Sequence, residues 1–404
     1  MFGFQGPVRR ALPVCVCAAI GALALVAAAE VTFSKAHSSI AADVADLRGV
    51  ACMETVERTR YAPRLPAGAT CAQIVAGANE SPGSLQWRSR LRLNVLAGAE
   101  GEEFSLTDAR RFEKTDIGGI LAAAAQGSGE FSAFLSKTIA ADPSLFQPRG
   151  SQQTSIGPLT AFAFTLPAAG GPAQRGALFV TSDTGDLRRL TLESENTGGA
   201  CLVRYTTDYA TARIGDRYVL VPRNSTMEAF LKDGSERRST SYFSGCRRPD
   251  TAAASAAAPA TDTPAADPPP IPAGTRFRVR IDPEIQATTA ATGDPVVGVI
   301  RSTVKNKQKE IIVHSGDRLH GRIALIEEYL TPKPHWNVAI VFETIERGVG
   351  VNGIYQGVEQ PVSIAPSEEA SSPEAQKLRP PNGNYYTLTG ANPVLDQDED
   401  WEVR

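Results

Sequence analysis

Stretches in which apolar and polar residues alternate recur along this chain, and they predict strands. The clearest is LQWRSRLRLNVLAG, residues 85–98, in which arginines and one asparagine separate Leu91, Leu93 and Val95. Since successive side chains of a strand point to opposite faces, this stretch predicts a half-buried strand. Similar alternation marks residues 49–63, 159–167, 176–194 and 201–246.

Turn sequences join these predicted strands at short intervals. Gly-Asp and Asp-Gly pairs between alternating runs are strong hairpin signals, and they occur within 183–186, 214–216 and 232–235. Strands joined by such short turns pair antiparallel. Residues 30–248 are therefore predicted to form an antiparallel sheet in which each strand returns beside the one before it.

Helical spacing occurs in three places in this predicted first domain. Ile40, Val44 and Leu47 follow the candidate caps Ser38 and Ser39. A second short helix is predicted at 117–121, and a third ends before Pro143. The apolar face of the third helix consists of Phe131, Phe134, Leu135 and Ile139. These four residues are interpreted either as plain core or as the wall of a ligand cavity between helix and sheet.

The composition changes abruptly after residue 248. Residues 249–271 are rich in Ala and Pro and predict an extended linker. Alternating runs resume in 272–357 and predict a small β-barrel domain. Residues 358–404 are rich in Pro, Ser and acidic residues and predict a disordered acidic tail. The predicted fold class is thus mostly β: an α+β first domain with a curved antiparallel sheet and inserted helices, then a linker and a small β-barrel.

The N-terminal residues 1–29 have the features of a signal peptide. Arg9 and Arg10 precede an apolar run that ends in Ala27-Ala28-Ala29, a small-residue cleavage site. An uncleaved anchor is the alternative, because the apolar run is just long enough to span a bilayer. Either interpretation predicts export to the periplasm or cell envelope.

Four cysteines follow the predicted signal peptide: Cys52, Cys71, Cys201 and Cys246. An even number in an exported chain indicates disulfides. Three pairings are open, and we expect Cys52–Cys71 and Cys201–Cys246 because each pair is local in sequence. Four buried free thiols are the alternative.

Charge and motifs exclude several function classes. The formal net charge is -3 at pH 7, whereas a nucleic-acid-binding protein carries a basic face. Ser302 and Lys305 have the S-x-x-K spacing of penicillin-recognising enzymes, but they lie in a predicted strand and the companion motifs are absent. No nucleotide-binding or metal motif occurs, so we expect no catalytic site, cofactor or metal. The basic run that includes Arg237, Arg238, Arg247 and Arg248 predicts a charged edge strand or, alternatively, peripheral contact with anionic lipid headgroups.

Several segments carry resemblances to known families. WRSRLRLNVLAGAEGEEFSL, GSGEFSAFL, FVTSDTGDLRRLTLES and YVLVPRNSTMEAFLKDGSERRSTSYFSGC together resemble a recurrent uncharacterised family of exported bacterial proteins. Their order of strand, helices and meander also resembles the LolA/RseB type of periplasmic half-barrel. IPAGTRFRVRIDPEIQATTAATGDPVVGVI with IIVHSGDRLHGRI is similar to the C-terminal β-barrel of TrbI-type conjugation proteins, although His314-Ser315-Gly316 replaces the usual Pro-x-Gly.

The LolA/RseB resemblance implies a curved sheet that holds acyl chains or senses lipoproteins under covering helices. We therefore expect a non-enzymatic, exported cell-envelope protein that holds a lipid, lipoprotein or envelope polypeptide near Phe131, Phe134, Leu135 and Ile139. The alternative is a structural or assembly module that docks a partner protein of the envelope and has a solid interior.

Overall fold

The computed structural model is built mostly of antiparallel β-sheet, as the alternation predicts. It describes residues 31–109, 111–112, 129–154, 157–167, 173–197, 199–249, 271–351, 354–362, 364–366, 384–395 and 398–403. The predicted signal peptide, the short helix at 117–121 and nearly all of the predicted linker lie outside these residues. Among the helices described, none is both long and apolar enough to cross a membrane.

Ten strands are described in the first unit, and they form a single antiparallel sheet. They run in the spatial order β3-β2-β1-β10-β9-β8-β7-β6-β5-β4. The N-terminal strand β1 therefore lies between β2 and the last strand, β10. The strands are β1 (Ala51–Tyr61), β2 (Leu85–Ala97), β3 (Glu102–Ser105), β4 (Phe146–Thr154), β5 (Gly157–Leu166), β6 (Gln174–Thr181), β7 (Leu187–Glu195), β8 (Ala200–Ile214), β9 (Arg217–Leu231) and β10 (Glu236–Arg247).

Among the described residues, three α-helices accompany this sheet: α1 (Phe33–Leu47), α2 (Cys71–Ala76) and α3 (Ala133–Ile139). The helix α1 begins earlier than Ser38 and Ser39 predict, because Thr32 caps it by accepting a hydrogen bond from the N–H of Lys35. At its other end the guanidinium of Arg248 donates to the carbonyls of Asp46 and Arg48 at 2.6 and 2.8 Å. Arg248 thus stabilises the free carbonyls of a helix end.

Twelve strands are described in the second unit, whose apolar core includes Val279, Leu319 and Ile340. Its main sheet has β11, β13, β16 and β17 as consecutive antiparallel neighbours. The strands are β11 (Arg276–Ile281), β12 (Ile285–Gln286), β13 (Pro295–Ile300), β14 (Val304–Lys305), β15 (Ile311–Val313), β16 (Arg318–Tyr329), β17 (His335–Val351), β18 (Ile354–Pro361), β19 (Ile364–Pro366), β20 (Asn384–Leu388), β21 (Val394–Leu395) and β22 (Asp398–Val403).

The prediction of a disordered tail over 358–404 does not hold for the strands described there. The strand β20 pairs with β17, and β22 pairs with β11. The register places Asp398, Asp400 and Glu402 directly opposite Arg280, Arg278 and Arg276. An acidic composition therefore did not prevent residues 398–403 from pairing as a strand.

The two units share a junction along β2. Glu327–Tyr329 of β16 pair with Trp87–Ser89, and Thr292 exchanges backbone hydrogen bonds with Arg90 and Arg92. The carboxylate of Asp294 accepts from one guanidinium nitrogen of Arg92 at 2.6 and 2.7 Å. The arginines of β2, predicted to lie on the polar face of a half-buried strand, therefore contact the second unit.

All four predicted cysteines are disulfide-bonded, but the expected pairing was wrong. The bonds are Cys52–Cys246 and Cys71–Cys201. Because β1 pairs with β10, the sheet brings Cys52 beside Cys246, with their Cα atoms 4.0 Å apart. The second bond ties the first residue of α2 to β8. Disulfides of this kind fit an oxidising compartment such as the periplasm.

Candidate functional site on the helix-covered face

One face of the first sheet lies under α1 and α3, and we call it the inner face. It carries Leu178 and Leu190 on one side and Val56 and Leu93 on the other, each at most 2% exposed. Buried residues of α1 pack into both groups. The inner face is where the sequence predicted a ligand cavity.

The four residues predicted to line that cavity lie on this face and pack closely. Leu135 and Ile139 of α3 join the apolar cluster formed with β5–β8, and Phe131 joins the cluster formed with β1 and β2. Phe134 is partly buried, and its ring lies 4.8 Å from that of Tyr205 on β8. The structure thus divides the predicted set between two clusters and leaves Phe134 as the member nearest the surface.

Gly129 allows Phe134 to reach this position. It has φ +107, and a Cβ there would lie 2.7 Å from the Phe134 ring. A side chain at 129 would therefore displace the ring from Tyr205.

Between the two apolar clusters the inner face carries a polar band, which consists of Glu54, Glu130, Thr207, Ser225 and Ser241. Each of these residues is at most 4% exposed. Thr207 pairs with Ser225, and Ser225 pairs with Ser241, so the three hydroxyls form a row across β8, β9 and β10. The hydroxyls of Thr207 and Ser225 lie 2.9 Å apart. Buried polar groups are costly unless they are hydrogen-bonded.

A third acid, Glu102, is partly buried beside the polar band and holds the start of α3. Its carboxylate accepts hydrogen bonds from the N–H groups of Gly129, Ser132 and Ala133 at 2.6, 2.7 and 3.2 Å. These N–H groups have no partner within a helix, and a carboxylate there is favoured by the helix dipole. Burial nevertheless raises the pKa of Glu102, and the backbone hydrogen bonds oppose that rise.

The two acids within the polar band are more strongly affected. Burial, with the charge of Glu102, raises the pKa of Glu130 to about 7. Burial and the charge of Glu130 raise the pKa of Glu54 well above its ordinary value, although a hydrogen bond with Ser241 lowers it. The carboxyls of Glu54 and Glu130 therefore keep their protons at pH values at which ordinary surface carboxyls are already ionised.

Two tyrosines of β8 face the same acids. Burial, with the charge of Glu130, raises the pKa of Tyr205 to about 12. Tyr209 is 5% exposed, and its pKa is raised by burial and by the charge of Glu102. Its hydroxyl has no hydrogen-bond partner among the described residues. An unpaired buried hydroxyl costs about 1–3 kcal/mol, which a hydrogen-bonding ligand would recover.

The inner face offers groups that can bind a ligand. Its carboxyls and hydroxyls supply hydrogen bonds, and its two clusters supply apolar surface. Among the described residues, no group of three or more His, Cys, Asp or Glu is placed to hold a metal ion. Sequence reasoning missed Glu54, Glu102 and Glu130, because carboxyls in short polar stretches give no sign of burial.

Comparisons with known proteins give distant similarities. Scans against protein-family models and curated proteins find no match. A solved structure of a LolA superfamily protein from Nitrosomonas europaea is similar at TM-score 0.24 and 12% identity, over 52% of this chain and 92% of that one. A Vibrio parahaemolyticus domain named as an outer membrane lipoprotein-sorting protein is similar at TM-score 0.26 and 9% identity, over 54% of this chain and 93% of that one.

At these TM-scores the similarities give this chain no specific function. The resemblances to an exported bacterial family and to the TrbI-type barrel stay predictions.

Proposed function

We propose that this chain is a non-enzymatic binding protein of the cell envelope that holds a lipid or lipoprotein on its inner face. The observation that supports this is the division of that face into apolar clusters and a polar band with an unpaired hydroxyl at Tyr209. A sheet face that serves only as hydrophobic core carries few buried polar groups, because burying them is costly. A face that binds an acylated polypeptide needs both apolar surface and hydrogen-bonding groups.

Access to the inner face would require α3 to move. This helix has seven residues, and Leu135 and Ile139 pack into the core beneath it. A short helix held mainly by side-chain packing and by Glu102 opens at lower cost than a strand in the middle of the sheet. The ligand would then replace α3 against Tyr205 and the neighbouring apolar side chains.

A second candidate function is supported by the same packing. Phe131, Leu135 and Ile139 are at most 7% exposed and pack within the apolar clusters, as the side chains of a solid core do. A filled interior favours the alternative of an assembly module that docks a partner protein and binds no small ligand. A charged substitution in α3, the helix that covers the inner face, distinguishes these two functions.

The test is binding of a dansyl-labelled fatty acid to the purified chain and to Phe134→Asp. We expect the variant to bind the probe at least tenfold more weakly, because a charge beside Tyr205 opposes entry of an acyl chain. Tyr218→Asp is the matched control, since Tyr218 is 73% exposed in the β8–β9 hairpin. Phe134→Ala checks the same position if the charged variant unfolds. Equal probe affinity in all four proteins, or no probe binding to the unchanged chain, would refute lipid binding on the inner face.

A further inference from the structure

A cleft lies at the junction of the two units, at one end of the inner face. Its volume is about 560 Å³. Four strands from both units build it, in the order β10-β1-β2-β16. Residues paired across neighbouring strands share a face of the sheet, so the register shows which side chains meet in the cleft.

Two cross-strand rows line this cleft. One row is Arg237, Arg60, Trp87 and Tyr329, and the next is Ser239, Arg58, Ser89 and Glu327. The last residue of each row belongs to the second unit. The cleft is therefore complete only when the second unit is docked on β2.

The charge arrangement in the cleft is unfavourable for folding. Arg60 and Arg237 are directly opposite each other, and Arg58 lies in the next row. Like charges at directly paired positions destabilise a sheet. Glu327 is the one acid among the described residues that line the cleft, and it accepts a hydrogen bond from the Tyr329 hydroxyl at 2.9 Å.

The other face of the same sheet shows how this chain pairs charges elsewhere. Arg238 lies 2.8 Å from Glu228, which lies 3.5 Å from Arg204, and Arg204 lies 2.7 Å from Glu193. That ladder alternates basic and acidic residues across β10, β9, β8 and β7. The row that joins Arg237 to Arg60 does not alternate, so its excess positive charge is specific to the cleft.

Asp233, outside the cleft, offsets little of the charge of Arg60. A guanidinium nitrogen of Arg60 lies 3.9 Å from a carboxylate oxygen of Asp233, but the two side chains are 45% and 58% exposed. Solvent screens such a pair, whose contribution is small. Burial lowers the pKa of Arg58, which is 7% exposed, although the charge of Glu327 opposes that change.

Arg58 and Trp87 form the floor of the cleft. The Nε of Arg58 donates to the Ser89 hydroxyl at 2.9 Å, and its guanidinium carbon lies 5.7 Å from the Trp87 ring. These contacts fix the charge of Arg58 in place. Arg60 is exposed and Arg237 is partly exposed, so their guanidinium groups are accessible to a ligand that enters the cleft.

We propose that the junction cleft binds a phosphate group, with Arg60 and Arg237 as direct ligands and Arg58 beneath them. Guanidinium groups donate paired hydrogen bonds to oxyanions. Two guanidinium groups in direct contact, with the charge of a third beneath them, favour a phosphate, which carries more oxygens and more negative charge than one carboxylate. Trp87 and Tyr329 offer apolar surface beside the anion, which suits a phosphate ester. This site is separate from the proposed lipid site beneath α3.

The test uses two phosphate sources, glycerol phosphate in solution and phosphatidylglycerol in vesicles, with phosphatidylcholine vesicles as a reference. Calorimetry measures the soluble ligand, and co-sedimentation measures the vesicles. The variants are Arg60→Gln/Arg237→Gln and the control Arg223→Gln/Arg280→Gln, which neutralises two exposed arginines on other strands. Thermal melts of all three proteins check that they fold.

We expect the cleft variant to bind at least tenfold more weakly than the control. Binding of glycerol phosphate would support the site and assign it to soluble esters. Binding only to phosphatidylglycerol vesicles, lost in the cleft variant, would support the site and assign it to a lipid headgroup. No binding of either probe, or equal losses in the two variants, would overturn the proposal.

Discussion

At the scale of single residues, buried carboxyls distinguish this protein from an ordinary sheet domain. Glu54 and Glu130 are 3% and 4% exposed and face each other without a basic side chain between them in the described interior. An uncompensated charge in such a place costs several kcal/mol, so these carboxyls retain protons to higher pH. Their titration is therefore linked to how firmly α3 is held.

This linkage predicts a loss of stability as the pH rises. Folding raises the pKa of Glu130 from 4.5 to about 7. The contribution of its proton to stability is complete below about pH 4.5 and is lost as the pH rises through 7. That contribution is at most about 3 kcal/mol. We expect Tm to fall between pH 5 and 8, and Glu130→Gln to flatten that fall.

Exposed Glu284 gives the matched control, Glu284→Gln. The control should keep the pH dependence of the unchanged chain. An equally steep fall of Tm in Glu130→Gln would show that this carboxyl does not titrate as described. Glu54, Glu102 and Tyr205 lie near Glu130 in the same interior. Adding Glu54→Gln to Glu130→Gln should therefore make Tm depend still less on pH.

The alternation of residues predicted the strand β1, but it did not predict which residues of β1 lie on the inner face. The inner face of β1 carries Cys52, Glu54, Val56 and Arg58, while Glu57 and Thr59 lie on the other face. Both faces mix polar and apolar residues, so the pattern alone does not show which one is buried. Burial depends on α3 and on the second unit, and these contacts are distant in sequence.

At the scale of elements, the local signals were reliable and the distant pairings were not. The hairpin turns at 183–186, 214–216 and 232–235 and the strand β2 were confirmed. The basic strand β10 was expected at an edge, but it lies between β1 and β9. That one long-range pairing also explains why Cys246 bonds to Cys52 rather than to Cys201.

The observed disulfides predict a large loss of stability when either is removed. Cys52–Cys246 and Cys71–Cys201 span 194 and 130 residues. In the chain-entropy account, closing loops of this length contributes about 5 kcal/mol each. We expect Cys71→Ser/Cys201→Ser to lower the free energy of unfolding by that amount in urea titrations. A non-reducing peptide map that links Cys52 to Cys71 would contradict the pairing.

At the scale of the whole molecule, β2 joins the two units, because strands of both units pair with it. One edge of this strand pairs with β1, and the other meets β3, Thr292 and β16 in turn. The linker composition predicted two independent domains, and nothing local indicated that the second unit would dock on the arginines of β2. Docking positions Glu327 and Tyr329 in the junction cleft.

Weakening this junction should be visible at particular backbone amides. The N–H groups of Arg92 and Thr292 donate across it at 2.8 and 2.9 Å. Asp294→Asn removes the charge that Arg92 binds, and we expect these amides to exchange hydrogen at least tenfold faster, about 1.4 kcal/mol. Asp216→Asn, in an exposed turn, is the control. Unchanged exchange in Asp294→Asn would show that the ion pair does not hold the units together.

The central claim is that the inner face holds a lipid or lipoprotein, and native mass spectrometry tests it most directly. The chain would be exported to an oxidising periplasm, purified without strong detergent and weighed under native and denaturing conditions. The account predicts a reproducible added mass of several hundred daltons or more that is lost on denaturation, together with two intact disulfides. A bare polypeptide mass under both conditions would contradict ligand binding and favour the assembly module.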